Sequence, residues 1–406
     1  MKKMNFTLSP LNQPIVDCEG FFFANNLTEK FSGELVFTTS MSGYEQALTD
    51  LSYQGQVLLF TFPEIGTYDI QVDRLQALTC GPKITIAKKF IDPDGQLRKF
   101  FNQHGITAIE YPYTRELTKM VRKNGSLKIQ MAHQENNNVF DKNNVCPIRP
   151  RNSIPFQVPN KEKLLVIDFG IKESILKELN QRKLDYDVIH WKEFIKVGRK
   201  HRNKLLSQLK GILLSNGPGN PEDYQEITPV ILNYINLIPT FGICLGHQIL
   251  ALSLGAKIEK LHFGHHGNNH PVYSHKDEKV YITSQNHNYV VTKKDLPLNC
   301  QISFTHANDN SIAGLRYGPM SFSVQFHPEG CPGPTDTYKF FEDINQIIHQ
   351  YSKDKSKWNF DTPNSRKTPG KISVAQSKTF SYWGQGRSLS VRALNSITPR
   401  SNALRY

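Results

Sequence analysis

Short hydrophobic runs separated by turns characterise the first 131 residues. Residues 33–39 alternate between polar and apolar positions with a period near two, and residues 56–62 are mostly apolar and end before a proline, so both predict strands. Residues 114–121 have the spacing of a short helix. We therefore expect an N-terminal mixed α/β domain over residues 1–131.

After residue 160, short and fully apolar runs alternate with helix-like segments. Buried strands are predicted at residues 164–167, 186–189, 211–215, 238–243 and 320–326, and helices at residues 172–182, 245–254 and 336–351. Strands without polar positions are buried on both faces, which is typical of a parallel sheet covered by helices. The pattern predicts a second α/β domain over residues 161–351, with a mostly parallel central sheet flanked by helices.

Residues 132–160 follow neither pattern. They contain seven asparagines and four prolines, which favour turns and irregular backbone, so we predict a linker between the two domains. The whole chain has 406 residues, of which 38% are hydrophobic and 21% charged, a composition that argues against disorder throughout. No run of eighteen apolar residues is present, and this excludes a membrane-spanning helix.

The net charge of +13 is unevenly distributed. Residues 355–406 carry +9 of it, whereas residues 1–354 carry only +4. An excess of basic residues indicates nucleic-acid binding only where those residues cluster on the surface of a folded domain. We therefore predict a basic, disordered tail over residues 352–406 and expect no nucleic-acid partner.

The compartment is predicted from weaker signals. The basic residues near the start are not followed by an apolar segment, so no secretory signal or transit peptide is expected, and six scattered cysteines without a C-x-x-C pair predict free thiols. The 31 asparagines, with many lysines and isoleucines, suggest an AT-rich genome. We expect a plastid-encoded protein of the chloroplast stroma, with the bacterial cytoplasm as the alternative.

The strongest chemical motif is a G-x-C-x-G sequence at residues 242–246, between a predicted strand and a predicted helix. Glycines two positions before and after Cys244 permit the tight turn of a nucleophile elbow, which lifts the side chain above the sheet edge. The helix that follows favours the thiolate form through its N-terminal dipole. Cys244 is thus a candidate nucleophile, and a buried structural cysteine is the alternative.

A cysteine nucleophile needs a base and a group that orients the base. His327 and Glu329 stand two residues apart at the end of an apolar run, so both side chains can face the same side of a strand. The carboxylate could then hold the imidazole in one tautomer while the other ring nitrogen faces the thiol. Together with Cys244 they form a candidate triad.

Two further features carry weaker signals. The glycine-rich turn at residues 215–221 lacks the residues of a phosphate loop, and its backbone N–H groups could help the N–H of Leu245 to stabilise an oxyanion; a plain turn is the alternative. A histidine-rich group has no ordered ligand spacing, so we expect a hydrogen-bonded loop and no metal there. Its members are His262, His265, His266, His270 and His287.

Several of these segments together resemble a known family. Residues 215–221, 241–248 and 325–329 resemble the three signatures of class I, triad-type glutamine amidotransferase domains. Four more segments resemble the small subunits of carbamoyl-phosphate synthase, namely residues 32–45, 263–272, 284–287 and 331–336. The resemblance spans about residues 14–350 and so includes both predicted domains.

The resemblance implies a glutaminase subunit. Such a subunit hydrolyses glutamine through a cysteine thioester and channels the ammonia to a large subunit, which makes carbamoyl phosphate from bicarbonate and ATP for arginine and pyrimidine biosynthesis. It implies a heterodimer or higher assembly with that large subunit. It implies no cofactor in this chain, ATP and a divalent cation on the large subunit, and no membrane partner.

The resemblance also implies roles for individual residues. Cys244 corresponds to the nucleophile, His327 to the base and acid, and Glu329 to the residue that orients it. Glutamine contacts are implied for Ser40, Gly217, Gly219, Leu245, Gln248, Asn286, Asn288 and Tyr289. Asn288 and Tyr289 stand where the family usually has Gly and Phe, and Tyr113 stands where an Asp is expected.

Two alternatives remain open from the sequence. One is an amidotransferase subunit of another synthase, such as anthranilate or guanylate synthase, but those subunits resemble only the second domain. The other is a basic nucleic-acid-binding protein that keeps a degenerate enzyme fold, and the intact set of Cys244, His327 and Glu329 argues against it.

Overall fold

The computed structural model describes residues 3–9, 16–24, 31–131, 162–235, 237–294, 296–298 and 300–353. The predicted linker, 132–160, and all but the first two residues of the predicted tail, 352–406, lie outside the described residues. No described helix is long and apolar enough to cross a membrane.

Seven of the first nine strands form a closed barrel. The strands of this half are β1 (Lys3–Ser9), β2 (Val16–Ala24), β3 (Phe31–Thr38), β4 (Gln56–Phe60), β5 (Glu64–Ile65), β6 (Ile84–Ala87), β7 (Lys89–Phe90), β8 (Thr107–Glu110) and β9 (Leu127–Met131). The barrel order is β1-β2-β8-β6-β4-β3-β9, and β5 pairs separately with β7. The barrel closes because β1 pairs antiparallel with both β2 and β9, which leaves it no open edge.

The alternation of apolar residues explains the barrel interior. Along β9, Leu127, Ile129 and Met131 are buried while the two residues between them are exposed. Three helices accompany the barrel, namely α1 (Tyr44–Leu48), α2 (Gln96–Gln103) and α3 (Thr114–Asn124). The strands predicted near residues 33–39 and 56–62 and the helix predicted at 114–121 are therefore confirmed.

The start of α3 accounts for one departure from the family pattern. Tyr113 occupies the N-cap, is 59% exposed and makes no capping hydrogen bond with its side chain. An Asp at an N-cap accepts a hydrogen bond from the first turn of the helix, and its loss typically costs ~1 kcal/mol. The substitution therefore removes a helix cap and touches no residue of the site described below.

The second half forms one sheet of nine strands. They are β10 (Lys163–Asp168), β11 (Tyr186–His190), β12 (Leu209–Leu214), β13 (Thr240–Ile243), β14 (Ile258–Ser274), β15 (Lys279–Val291), β16 (Cys300–His306), β17 (Ile312–Tyr317) and β18 (Ser321–Val324). The order is β11-β10-β12-β13-β18-β17-β16-β14-β15. The first five strands in this order pair in parallel and the others pair antiparallel.

Helices cover both faces of the parallel strands. They are α4 (Glu173–Gln181), α5 (Trp191–Lys200), α6 (Arg202–Gln208), α7 (Thr228–Leu232), α8 (Leu245–Ser253) and α9 (Lys339–Lys353). Along β10, Leu165 and Ile167 share a core with α5, α7 and α8, whereas Leu164 and Val166 share one with α4 and α9. The α/β class and the central parallel sheet expected from apolar strands are confirmed; the antiparallel extension was not anticipated.

Hydrogen bonds join the barrel directly to the sheet. The Thr39 N–H donates to the carbonyl oxygen of His266 over 3.1 Å, and the Gln76 side chain accepts a 2.6 Å hydrogen bond from the Ser174 hydroxyl. Gln76, Ser174 and His266 are buried, and Thr39 is partly buried. The first contact places the end of β3 against the β14–β15 hairpin, where the candidate site lies, and the second joins the barrel half to α4.

Candidate active site

Cys244 lies on a sharp turn between β13 and α8. Its backbone has φ +53° and ψ −104°, a left-handed value that is a genuine outlier for a residue with a side chain. Both flanking glycines are sterically required: a Cβ on Gly242 would come within 2.7 Å of the Gly246 backbone, and one on Gly246 within 2.2 Å of the Leu214 carbonyl oxygen. This geometry is that of a nucleophile elbow.

The thiol is enclosed rather than free in solvent. Cys244 is 3% exposed, and its Sγ lies 3.5 Å from the backbone oxygen of Asn286 and 3.9 Å from Nε2 of Gln325. Cys244 is the N-cap residue of α8, and its side chain makes no capping hydrogen bond. The predicted position of the thiol at a helix N-terminus is thus confirmed in the structure.

His327 and Glu329 follow β18 and are fully buried. The Nδ1 of His327 lies 2.7 Å from Oε1 of Glu329, so the carboxylate holds the proton on Nδ1 and leaves Nε2 as the second functional nitrogen. Nε2 is buried and makes no hydrogen bond to any described residue in this geometry. The two residues predicted from spacing alone do lie side by side.

Lys172 completes this group and was missed by sequence reasoning. Its Nζ lies 2.8 Å from Oε1 of Glu329, and the lysine side chain is only 2% exposed. Lys172 precedes α4, on the loop that leaves β10, and no short motif connects it to residue 329. From the sequence alone, a single lysine before a helix cannot be distinguished from a lysine on the surface.

The buried charges shift one another's pKa values. Burial alone would lower the pKa of His327, but the Glu329 carboxylate and the Cys244 sulfur outweigh it and raise that pKa to about 10. Burial would raise the pKa of Glu329, but Lys172 and His327 lower it to about 2. At neutral pH this arrangement favours the imidazolium form of His327.

A cavity of about 170 Å³ opens beside the thiol. Of the eight predicted glutamine contacts, seven line it, namely Gly217, Gly219, Leu245, Gln248, Asn286, Asn288 and Tyr289. Ser40 does not line it and instead accepts a 3.0 Å hydrogen bond from the Thr38 hydroxyl. The structure therefore assembles the predicted set around Cys244 except for Ser40, and the contacts with glutamine themselves stay predictions.

The glycine turn after β12 forms part of the cavity wall. A Cβ on Gly217 would lie 2.5 Å from the carbonyl oxygen of Phe169, and Gly219 has φ +91°, so both positions favour glycine. Close packing of this turn against the elbow is shown by the Gly246 N–H, which donates to the Ser215 carbonyl over 3.0 Å. Backbone groups of residues 217–219 thereby reach the same cavity as the thiol.

The opposite wall is held by side-chain amides. Asn286 donates from Nδ2 to the Asp50 carboxylate over 2.9 Å, and Gln248 donates from Nε2 to the Tyr289 carbonyl over 2.6 Å. Asp50 belongs to the barrel half, just before a short 3-10 helix. The barrel thus fixes the orientation of an amide in the wall, a contribution that sequence reasoning did not identify.

Asn288 makes contacts that a glycine could not make. Its Nδ2 donates to Oε2 of Glu34 over 3.2 Å, and its Oδ1 lies 2.8 Å from Nε2 of His266. Glu34 is also paired with Lys260 at 2.7 Å. The departure from the family pattern therefore ties the hairpin to the barrel at the rim of the cavity.

The histidine-rich group lies on strands rather than in the loop that we expected. His262, His265, His266 and His270 belong to β14 and His287 to β15. The pairing of these two strands is irregular at two places, between Lys260 and His265 and between Gly267 and His270. Because such irregularities break the regular alternation of a strand, the sequence of this segment predicted a loop. The expected hydrogen bonding is present, as in the 2.9 Å contact between Nδ1 of His266 and Oδ1 of Asn286.

Each half of the chain matches a known protein family. Residues 165–347 match the family described as glutamine amidotransferase class-I, so the sheet half, with its elbow, is a domain of that class. Residues 16–131 match the family described as carbamoyl-phosphate synthase small chain, CPSase domain.

Curated relatives match across both halves. Carbamoyl phosphate synthase small chains from Oceanobacillus iheyensis and Lactococcus lactis subsp. lactis are 36% and 34% identical, over 78% and 79% of this chain and 90% and 93% of theirs. The pyrimidine-specific small chain of Bacillus subtilis is 36% identical over 79% of this chain and 91% of its own. The chain belongs to the carbamoyl phosphate synthase small chain family. The two alternatives that the sequence left open, a subunit of another synthase and a nucleic-acid-binding protein with a degenerate enzyme fold, are therefore set aside.

Proposed function

We propose that this chain is the glutamine-hydrolysing subunit of a carbamoyl-phosphate synthase, with Cys244 as its nucleophile. The observation that carries the proposal is the elbow cysteine, which lines the cavity and interacts electrostatically with the imidazole of the buried His327–Glu329 pair. A strained thiol at a helix N-terminus, a base and an orienting carboxylate are what acyl transfer through a thioester requires.

In the first step the Cys244 thiolate attacks the carboxamide carbon of glutamine. The C–N bond breaks, His327 gives its proton to the departing nitrogen, and ammonia and a glutamyl thioester result. Backbone N–H groups of Leu245 and Gly219 are the candidate donors to the tetrahedral oxyanion. One such donor was worth about 2.7–4 kcal/mol in a studied protease.

In the second step neutral His327 takes a proton from water, and the hydroxide attacks the thioester carbon. Glutamate leaves, and the thiolate and the imidazolium are restored. Glu329 keeps Nδ1 protonated throughout, so Nε2 is the nitrogen that exchanges protons. Lys172 neutralises the carboxylate that would otherwise be buried beside only one positive partner.

The ammonia has a destination in this proposal. A large subunit would receive it and make carbamoyl phosphate from bicarbonate and ATP, for pyrimidine and arginine synthesis, and would itself hold ATP and the divalent cation. Support comes from the relatives, which are small chains of carbamoyl phosphate synthases and include a pyrimidine-specific one in B. subtilis. Co-purification of the full chain with a protein of about twice its size would support the partner; a stable monomer in its cells of origin would contradict it.

The test of the chemistry is Cys244→Ser, assayed for glutamate release from glutamine. We expect hydrolysis to be lost while glutamine binding is retained, because the hydroxyl keeps the shape of the site and lacks the nucleophile. Cys80→Ser, at a half-buried thiol outside the cavity, is the matched control and should keep its activity. Unchanged turnover in Cys244→Ser would overturn the mechanism.

A further inference from the structure

A second group of side chains lies behind the wall of the cavity. His265 and His270 on β14 and His306 at the end of β16 each offer a ring nitrogen, and these three atoms all lie within 4.8 Å of one another. His270 lies five positions after His265, which in a regular strand would place the two side chains on opposite faces. The pairing of β14 with β15 is irregular between Gly267 and His270, and this irregularity allows both rings to meet.

The fold brings His306 to the pair from a distant part of the sequence. β14 and β16 are antiparallel neighbours, with Val272 opposite His306. The rings of His265 and His306 stack with centroids 4.1 Å apart, and Nδ1 of His270 lies 3.0 Å from Nε2 of His306. Ligand nitrogens on a tetrahedral zinc ion, each at ~2.0–2.1 Å, are about 3.3 Å apart. The spacing is therefore close to that of a metal centre.

A carboxylate sets the tautomer of His265 and lies beside a second imidazole. Asp309 Oδ2 lies 2.8 Å from Nε2 of His265, and its Oδ1 lies 3.3 Å from Nδ1 of His306, which also accepts a hydrogen bond from the Asn308 N–H. With Nε2–H of His265 donated to Asp309, the lone pair of that ring is on Nδ1, which is buried and makes no hydrogen bond to any described residue. Metal-binding histidines characteristically donate their other nitrogen to a carboxylate in this way.

We propose that His265, His270 and His306 form a binding site for a divalent transition-metal ion of the zinc class, with Asp309 orienting one of the three ligands. Three imidazoles suit zinc, copper, nickel or cobalt and do not suit magnesium or calcium, which take oxygen ligands. A fourth position is left for water.

The site would have a structural consequence. An ion there would join β14 to β16 and to the turn that carries Asp309, directly behind His266 and His287, which line the glutamine cavity. The proposal does not depend on glutamine hydrolysis, because every contact that supports it lies outside the Cys244 group.

The test uses the full 406-residue chain produced without a polyhistidine tag and stripped with a chelator. Titration with cobalt chloride, and separately with zinc chloride, is followed by calorimetry and visible absorption. We expect one equivalent of metal per chain and the visible bands of tetrahedral cobalt, without the near-ultraviolet band that a thiolate ligand would add. That last feature separates this site from adventitious binding at Cys244.

Two variants locate the ion. His270→Gln removes a ligand and should abolish the stoichiometric binding, whereas Asp309→Asn should weaken it by roughly 10–100-fold, as the loss of an orienting partner does in other metal sites. His349→Gln, at an exposed position of α9, is the matched control and should bind as the unaltered chain does.

Three outcomes would overturn the proposal. They are no cobalt binding by the folded chain, equal binding by the His270→Gln variant, and a spectrum in which a thiolate band accompanies all bound metal. If His270→Gln fails to fold, as judged by circular dichroism, the cobalt spectrum of the unaltered chain and the affinity of Asp309→Asn decide the question.

Discussion

The barrel and the sheet contribute to the same cavity in different ways. The sheet half carries the nucleophile, the base and its carboxylate partner at the carboxyl ends of parallel strands, where α/β proteins commonly place reactive groups. The barrel half carries no member of this group; it supplies Glu34 and residues 54–56 to the wall, and Asp50 behind it. Chemistry therefore depends on one half and the shape of the pocket on both. Changes in the sheet group should lower kcat, and changes in the barrel residues should raise KM.

The largest effect should come from Glu329→Gln. We expect kcat for glutamine hydrolysis to fall by roughly 10²–10⁴-fold, the range typical of a lost acid–base contribution. The carboxylate raises the pKa of His327 against the effect of burial, so its removal lowers that pKa. The imidazolium form is then lost at lower pH, and the alkaline limb of the kcat–pH profile should move to lower pH.

The control for this prediction is Glu342→Gln, at a carboxylate with 60% exposure on α9. It should leave both kcat and the profile as they are. A Glu329→Gln variant that has the unaltered kcat and pH profile would show that His327 does not need its partner, and the sheet half would lose its proposed role as an electrostatically organised group.

The sequence predicted the parts of this site that are local. The sequence shows two such local patterns, the two glycines around Cys244 and the histidine two residues before a glutamate. Both are recognisable because strand and turn geometry depends on residues only a few positions apart. Lys172 and Asp50 leave none, since each reaches its partner only through the tertiary fold. The covered parallel strands were predicted for the same local reason, whereas closure of the barrel depends on β1 meeting β9, more than a hundred residues away.

A change to the buried ion pair tests stability rather than turnover alone. Lys172→Met should lower the free energy of unfolding by about 3–5 kcal/mol, because it leaves the buried Glu329 carboxylate without its lysine partner. Urea denaturation at pH 7 measures this. The Glu329 pKa is lowered from 4.5 to about 2, so the contribution of this carboxylate is present above pH 4.5 and is lost as the pH falls toward about 2. The difference between the variant and the unaltered chain should shrink over that interval.

Lys163→Met is the matched control for the ion pair, since its amine pairs with two partly exposed aspartates. Exposed pairs contribute about 0–1 kcal/mol, so little change is expected. If both variants lost the same free energy of unfolding, the buried ion pair of the sheet half would stabilise the protein no more than an exposed pair does.

In the barrel half, Asp50→Asn should raise KM and leave kcat within about twofold. In the unaltered chain, Oδ1 of Asp50 accepts a 2.9 Å hydrogen bond from the Ser52 N–H, and the amide oxygen of the variant can still do so. The amide nitrogen of the variant then faces Nδ2 of Asn286, and because both groups are donors, the hydrogen bond between residues 50 and 286 is lost. A lost hydrogen bond to a charged group costs roughly 1.5–3 kcal/mol, which corresponds to about 10–100-fold in KM. Steady-state kinetics with glutamine measures both constants. Asp73→Asn, exposed on the same half, is the control, and a fall in kcat at constant KM would contradict the division between the halves.

The smallest effect should come from Glu34→Gln at the rim. Glu34 is partly buried, pairs with Lys260, whose side chain is 43% exposed, and accepts from Asn288. Glutamine can still accept from Asn288, so the variant loses only the charge of these contacts. We expect a rise in KM of about 2–10-fold, from a hydrogen bond worth roughly 0.5–1.5 kcal/mol, and no change in kcat. Because the ion pair is partly solvated, the rise should be smaller at high salt, where the unaltered chain also loses part of the interaction. If kcat falls instead, Glu34 acts on the reacting groups, and the barrel is then part of the catalytic machinery as well as the wall of the pocket.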